Sequence, residues 1–279
     1  MPFAEYHGAR IAWSATGPTE ADEPGEPVLL IMGLAGSSRA WWRLLKHLAP
    51  RYRAIAFDNR GTGASDAVRG PLTMDDLVGA GIAVLDDAGV EAAHVIGVSM
   101  GGMIAQHMAL DHRQRVRSLV LGCTASGGRS GPPPWRLLLA NAAGTAIGPA
   151  RRFALTAPLL YAPRTLREHH DRLRDDFEVR FADATSPVTA WAQLAAVARH
   201  DTSARLAQLE GLPTLVLHGA EDRLVDPTRG VELASAIPGA RYVELPSCGH
   251  MLTTDAEEAT AEAILDFLEC CGARASQPA

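Results

Sequence analysis

The sequence lacks the features that mark several classes of protein. Aromatic residues make up only 5% of its 279 residues, and 26 lysines and arginines face 32 aspartates and glutamates without forming a basic block. A surface that binds nucleic acid needs clustered positive charge, so we expect no nucleic-acid partner. The hydrophobic and charged fractions, 47% and 21%, are those of an ordinary globular protein rather than a disordered or coiled-coil one.

The sequence has few cysteines, and they are not spaced as pairs. The four are Cys123, Cys248, Cys270 and Cys271, and none forms a C-x-x-C pair that would indicate a zinc ribbon or a disulfide framework. No run reaches the roughly 18 apolar residues of a membrane span, and the N-terminus has no basic segment followed by an apolar stretch. We therefore expect a cytoplasmic protein with reduced thiols and no membrane partner. The oligomeric state stays open.

Short apolar runs rich in β-branched residues alternate with helical patterns along the chain. Nearly continuous apolar runs are typical of strands that are buried on both faces, as in a parallel sheet. The predicted strands are Val28–Met32, Ala54–Phe57, His94–Val98, Ser118–Leu121, Thr214–Leu217 and Tyr242–Leu245, after an edge hairpin within Phe3–Ser14. The predicted helices are Arg39–Leu48, Met74–Ala88, Met100–Leu110, Thr228–Ala236 and Ala256–Cys271. This order predicts an α/β fold with a mostly parallel, doubly wound sheet.

Residues 125–206 break the rhythm, because they contain helical patterns but no convincing strand. We expect a helical cap inserted into a core formed by residues 1–124 and 207–279. Such an insertion would lie at the carboxyl edge of the sheet and shape an apolar pocket, although for any single one of its large side chains a place in the core of the insertion is the favoured role. These side chains are Trp135, Phe153, Leu155, Leu159, Leu160, Tyr161 and Trp191.

The most informative motif is Gly-x-Ser-x-Gly at Gly97, Ser99 and Gly101. It follows an apolar strand and precedes a helical pattern, which is the context of a nucleophile held on a sharp strand-to-helix turn. The neighbours of such a turn must be small, and the helix N-terminus supplies donors and positive potential beside the hydroxyl. The alternative is that Ser99 simply caps the helix.

A serine nucleophile needs a histidine base that is oriented by a carboxylate. His250 is the candidate base, because it follows the last predicted strand at the carboxyl edge, although it could instead cap the next helix. The acid is expected after the strand Thr214–Leu217, where Asp222 is the first choice, Glu221 the second and Asp226 the third. Asp226 precedes a proline and could cap a helix instead.

Together these residues resemble the α/β-hydrolase superfamily, and the resemblance covers nearly the whole chain. The order Ser99, Asp222, His250 fits it, as does the D-x-R-G-x-G-x-S turn over Asp58–Ser65. The resemblance implies that the loop at Met32 supplies an oxyanion hole, with the backbone N–H groups of Leu34 and Met100 as donors. Met32 departs from the usual histidine of that loop. Within the superfamily, the segments Leu85–Val90 and Ser99–Ile104 are similar to 3-oxoadipate enol-lactonases, whereas the Met32–Leu34 loop is similar to aclacinomycin methylesterase-like members.

The resemblance implies a hydrolase that forms an acyl-enzyme on Ser99 and cleaves a small carboxylic ester or lactone, with no cofactor and no metal. Other reactions remain open on the same three residues. They are thioester hydrolysis, perhydrolysis and carbon–carbon bond hydrolysis. A ligand receptor that keeps the residues and turns over slowly is a further alternative.

Overall fold

The structure is a computed structural model that describes residues 1–18, 25–127, 147–182 and 185–275. Eight strands form one sheet in the order β1-β2-β4-β3-β5-β6-β7-β8. They are β1 (Phe3–Tyr6), β2 (Ala9–Thr16), β3 (Glu26–Ile31), β4 (Tyr52–Phe57), β5 (Ala93–Val98), β6 (Val116–Gly122), β7 (Thr214–Gly219) and β8 (Arg241–Leu245). The predicted hairpin forms β1 and β2, which pair antiparallel, and β2 also pairs antiparallel with β4. The other neighbours are parallel. The predicted fold class is confirmed.

The strands of the sheet centre are mostly apolar because both faces are covered. In β3, Val28 and Leu30 pack into the core on one face, while Leu29 and Ile31 pack into the core on the other. The helices that connect the strands are α1 (Trp42–Leu48), α2 (Met74–Asp87), α3 (Met100–Asp111) and α8 (Pro227–Ala236), and β8 is followed by α9 (Leu252–Asp255) and α10 (Glu257–Ala275). The first predicted helix begins with a 3₁₀ turn, Ser38–Trp41, before it continues as α1.

Four more helices lie between β6 and β7 in the described part of the chain. They are α4 (Gly148–Leu160), α5 (Pro163–Glu168), α6 (His170–Ala182) and α7 (Pro187–Val197). We call α4 to α7, with the connections between them, the inserted helices. The proposed pocket residue Trp135 and most of the Gly/Pro-rich opening lie outside the described residues. Among the residues that are described, no helix combines the length and apolarity needed to cross a membrane.

Candidate active site

Ser99 occupies a sharp turn between β5 and α3. Its backbone has φ 54° and ψ −123°, a conformation that costs a non-glycine residue about 1–3 kcal/mol. The flanking glycines permit the turn. A Cβ atom on Gly97 would lie 2.2 Å from Gly101 O, and one on Gly101 would lie 2.0 Å from Ile31 O. The Ser99 side chain makes no capping hydrogen bond, so helix capping does not explain the serine.

The backbone of Ser99 is fixed by the end of the neighbouring strand. Ser99 N donates to Gly122 O at 2.8 Å, and Ser99 O accepts from Thr124 Oγ1 at 2.8 Å. Met100 follows as the first residue of α3, where backbone N–H groups have no acceptor within the helix and the helix dipole is positive. The Ser99 hydroxyl therefore lies where developing negative charge is stabilised.

Asp222 lies in the loop after β7, with both carboxylate oxygens hydrogen-bonded. Oδ1 accepts from Leu224 N at 2.8 Å and Val225 N at 3.0 Å, and Oδ2 contacts His250 Nδ1 at 2.7 Å. Burial by itself would raise the pKa of this carboxyl. The facing His250 and the hydrogen bonds outweigh burial and hold the pKa of Asp222 well below its usual range. Asp222 is therefore ionised at neutral pH.

The ionised carboxylate decides the tautomer of His250. A carboxylate without a proton can only accept, so Nδ1 of His250 must donate to Asp222 Oδ2. The other ring nitrogen, Nε2, is then an acceptor in the neutral histidine and can take a proton. His250 is 8% exposed, in the loop after β8. The Asp222–His250 pair thus has the arrangement that a general base requires.

The other two acid candidates, Asp226 and Glu221, have structural roles. Asp226 Oδ1 accepts from the backbone N–H of Thr228 at 2.9 Å and caps the N-terminus of α8, which confirms the alternative role considered for it. Glu221 donates its backbone N–H to Cys248 O at 2.8 Å, so it joins the loop of the acid to the loop of the histidine.

Ser99 and His250 are not hydrogen-bonded to each other in the described part of the chain. They nevertheless lie at the same edge of the sheet, and Cys123 connects them. Ser99 N donates to Gly122 O, and Cys123 is the residue after Gly122. Cys123 Sγ lies within 4.8 Å of ligand atoms of Asp222 and His250. Hydrogen bonds between a nucleophile and its base are often loose before substrate binds, so this geometry is compatible with catalysis.

The loop Met32–Gly36 packs directly on the turn at Ser99. A Cβ atom on Gly33 would lie 3.1 Å from Ser99 Cβ, a tight contact that a glycine avoids. Asn59, from the turn that follows β4, donates from Nδ2 to Met32 O at 2.9 Å. The Met32 side chain is 9% exposed and belongs to the hydrophobic core beneath α1 and α10. Methionine in place of the usual histidine therefore anchors this loop by packing.

A half-buried carboxylate connects the histidine loop to the inserted helices. Asp255 Oδ2 accepts from Gly249 N at 2.7 Å and from Ala162 N at 2.8 Å. Gly249 immediately precedes His250, and Ala162 lies between α4 and α5. Burial raises the pKa of the Asp255 carboxyl. The position of the histidine thus depends on contacts with the inserted helices.

A second buried network joins the inserted helices to the core. Tyr161 is 1% exposed and donates from its hydroxyl to Asp176 Oδ2 at 3.1 Å. Arg43 Nε lies 3.5 Å from Asp176 Oδ1, and Arg43 Nη1 lies 3.2 Å from Glu257 Oε2. Tyr161 is therefore a packing residue. Trp191, another of the side chains considered for the pocket, is 42% exposed.

Two groups of side chains in the described ranges have the spacing of metal ligands. One is Cys123, Asp222 and His250, and the other is His47, Glu257 and Glu258. Burial, followed by the nearby Asp222 carboxylate, raises the pKa of the Cys123 thiol well above its usual value. In the metal-free protein this thiol therefore keeps its proton at neutral pH.

The profile of the alpha/beta hydrolase fold family matches residues 26–256. The chain belongs to this family. It is 30% identical over 277 residues to "Putative carbamate hydrolase RutD" of Azorhizobium caulinodans, which covers 98% of each chain. The family assignment agrees with the fold and with the turn at Ser99.

Two solved structures are similar to this chain along nearly their whole length. The enol-lactonase from Burkholderia xenovorans LB400 has a TM-score of 0.85 and 25% identity, covering 96% of this chain and 100% of that one. A thermophilic esterase from Thermogutta terrifontis has a TM-score of 0.82 and 25% identity, covering 97% and 98%. The chain is therefore an α/β hydrolase.

The sequence did not point to three side chains that hold this site together. His218 Nε2 lies 3.4 Å from Asp222 Oδ2 and 3.0 Å from Val225 O, and Asp255 and Gln193 contact the loops on either side of Ser99. His218 ends a predicted strand, which could have been recognised as a position facing the acid loop. The other two reveal their roles only through tertiary contacts.

Proposed function

We propose that the protein is a cofactor-free serine hydrolase that cleaves carboxylic esters or lactones through an acyl-enzyme on Ser99. The observation that carries the proposal is the hydrogen bond between Asp222 Oδ2 and His250 Nδ1, because it leaves Nε2 free to act as a base. The strained turn at Ser99 supports it. The names of the similar proteins support it further, since a lactonase and an esterase both cleave acyl–oxygen bonds.

In the proposed first half-reaction, Ser99 Oγ attacks the carbonyl carbon of the substrate while His250 Nε2 takes the hydroxyl proton. The N–H groups of Leu34 and Met100 donate to the oxyanion, and Asp222 stabilises the imidazolium. Collapse of the tetrahedral intermediate breaks the carbon–oxygen bond of the ester. The proton on His250 then passes to the leaving alkoxide, which stays tethered to the acyl chain when the substrate is a lactone.

In the second half-reaction, water attacks the acyl-enzyme while His250 takes one of its protons. The intermediate collapses to the carboxylic acid, and the proton returns to Ser99 Oγ. A small ester or lactone and water are the reactants, so the stoichiometry needs no oxidant, reductant or metal. Nucleic acid and membranes have no part in this proposal.

A substrate panel tests the proposal. p-Nitrophenyl acetate and butyrate, γ- and δ-lactones, and short thioesters are compared in the wild-type protein and in Ser99→Ala purified from the same host. We expect turnover of esters or lactones that is absent in Ser99→Ala. Preference for thioesters would replace the proposed reaction by thioester hydrolysis on the same residues. Absence of any turnover would favour a receptor, and full activity of Ser99→Ala would contradict the mechanism.

A further inference from the structure

The Met32–Gly36 loop contains a tight turn that is strained at Ala35. Gly36 N donates to Gly33 O at 3.1 Å and closes the turn, and Ala35, its third residue, has φ +59°. A positive φ at the third position is typical of a type II turn, in which glycine is the usual residue. An alanine persists in this conformation only where the surrounding structure holds it there.

Two side chains from the stretch between β6 and β7 hold Ala35. Gln193 Oε1 accepts from Ala35 N at 2.8 Å, and Thr185 Oγ1 donates to Ala35 O at 2.9 Å. Gln193 lies on α7 and is 0% exposed, and its Nε2 donates to Arg60 O at 3.4 Å. Both polar groups of the strained residue are thus bonded to the stretch between β6 and β7.

These contacts fix the orientation of the peptide between Leu34 and Ala35. Relief of the positive φ would turn over the peptide between Leu34 and Ala35, because this is the peptide that distinguishes the two common turn types. The bond from Ala35 N to Gln193 Oε1 opposes that rotation. The Leu34 N–H belongs to the preceding peptide, between Gly33 and Leu34, and Gly33 packs against Ser99. A change in the turn would therefore displace this N–H relative to the Ser99 hydroxyl.

We infer that Gln193 is a positioning residue, which holds the strained turn and so sets the direction of the Leu34 N–H that would bind the oxyanion. The inference rests on the proposed function, because it concerns the oxyanion hole of the same reaction. Gln193 acts through the loop and contacts no reacting atom. Its loss should therefore weaken transition-state stabilisation and leave substrate binding almost unchanged.

The test is Gln193→Leu, which keeps the size of the side chain and removes its acceptor. We expect kcat on p-nitrophenyl butyrate to fall about 10- to 100-fold, the range for a displaced oxyanion donor, with KM within about threefold of wild type. The inhibition constant of an alkylboronic acid, which mimics the tetrahedral intermediate, should rise by the same factor as kcat falls. Gln193→Glu keeps an oxygen that accepts from Ala35 N and should restore most of kcat.

The matched control is Gln106→Leu. Gln106 is also 0% exposed, and its amide bonds to Gly102 O, Ala125 O and Thr202 Oγ1 rather than to the oxyanion loop. Both leucine variants should lose similar thermal stability, but only Gln193→Leu should lose kcat and boronate affinity. Equal losses of kcat in the two variants, or a wild-type kcat in Gln193→Leu, would overturn the inference.

A second variant keeps the inference testable if Gln193→Leu does not fold. Thr185→Val removes the hydrogen bond to Ala35 O and should lower kcat about fivefold, since one neutral hydrogen bond contributes about that factor. An unchanged kcat in Thr185→Val would then overturn the inference. Ser99→Ala separates the two proposals: if it retains activity, the proposed function fails, whereas an inactive Ser99→Ala beside a fully active Gln193→Leu refutes only the role of Gln193.

Discussion

Replacing Asp222 by asparagine should trap His250 in the wrong tautomer. The amide oxygen of the new side chain would take the place of Oδ1, because Leu224 N and Val225 N both donate there. The NH₂ group would then face His250 Nδ1, which must accept, so Nε2 would carry the proton and could not act as a base. Turning the amide over would leave two backbone donors unpaired, at about 1–3 kcal/mol each. The active tautomer would therefore be disfavoured by about 2–6 kcal/mol.

We predict a fall in kcat/KM of about 10³- to 10⁴-fold for Asp222→Asn, in line with the ~10⁴-fold reported for the analogous change in serine proteases. The assay is hydrolysis of p-nitrophenyl butyrate, with thermal unfolding measured in parallel. Asp226→Asn is the matched control, because it makes the same change four residues away at a helix cap that asparagine also satisfies. A loss smaller than tenfold in Asp222→Asn, or an equal loss in Asp226→Asn, would refute the assigned roles.

Three further predictions concern stability. Gly101→Ala would put a Cβ atom 2.0 Å from Ile31 O and should lower the free energy of unfolding in urea by more than about 3 kcal/mol, whereas Gly70→Ala, with open space around it, should be nearly neutral. Ser99→Gly relieves the positive φ and should be inactive yet about 1 kcal/mol more stable than Ser99→Ala; equal unfolding midpoints would contradict the strain. Burial lowers the pKa of His200 to about 4, below the value near 6.5 expected in the unfolded chain, so the unfolded state binds more protons between these pH values. The free energy of unfolding should thus keep the full contribution of His200 above pH 6.5 and lose about 3 kcal/mol of it toward pH 4. This loss should be smaller in His200→Gln. An identical pH profile in the variant would contradict the role of His200.

The sequence predicted those features of the fold and the site that depend on neighbouring residues in the chain. The apolar run Val28–Met32 predicted a strand that is covered on both faces. The structure places this strand at Glu26–Ile31, and its residues alternate between the two cores. The glycines beside Ser99 predicted a sharp turn, and the backbone angles there agree with it. Asp222 was preferred over its two neighbours, and it is the one that contacts His250. The boundaries of the cap and the catalytic roles stay predictions.

The contacts that the sequence did not predict join distant parts of the chain. Ala35 and Gln193 are 158 positions apart, and the glutamine lies in an apolar helix where its composition indicates only a buried position. Asp255 follows His250 by five residues, but its contact with Ala162 depends on how the inserted helices pack. Periodicity describes which face of a helix is buried, and it carries no information about which loop that face will meet.

Reaction with a fluorophosphonate tests the central claim most directly, because this reagent phosphonylates an activated serine oxygen far faster than an ordinary one. We predict one phosphonyl group per chain, mapped by mass spectrometry to Ser99, with simultaneous loss of ester hydrolysis and much slower labelling in Asp222→Asn. Labelling at another serine, or an unlabelled Ser99 in protein that hydrolyses esters, would contradict the account.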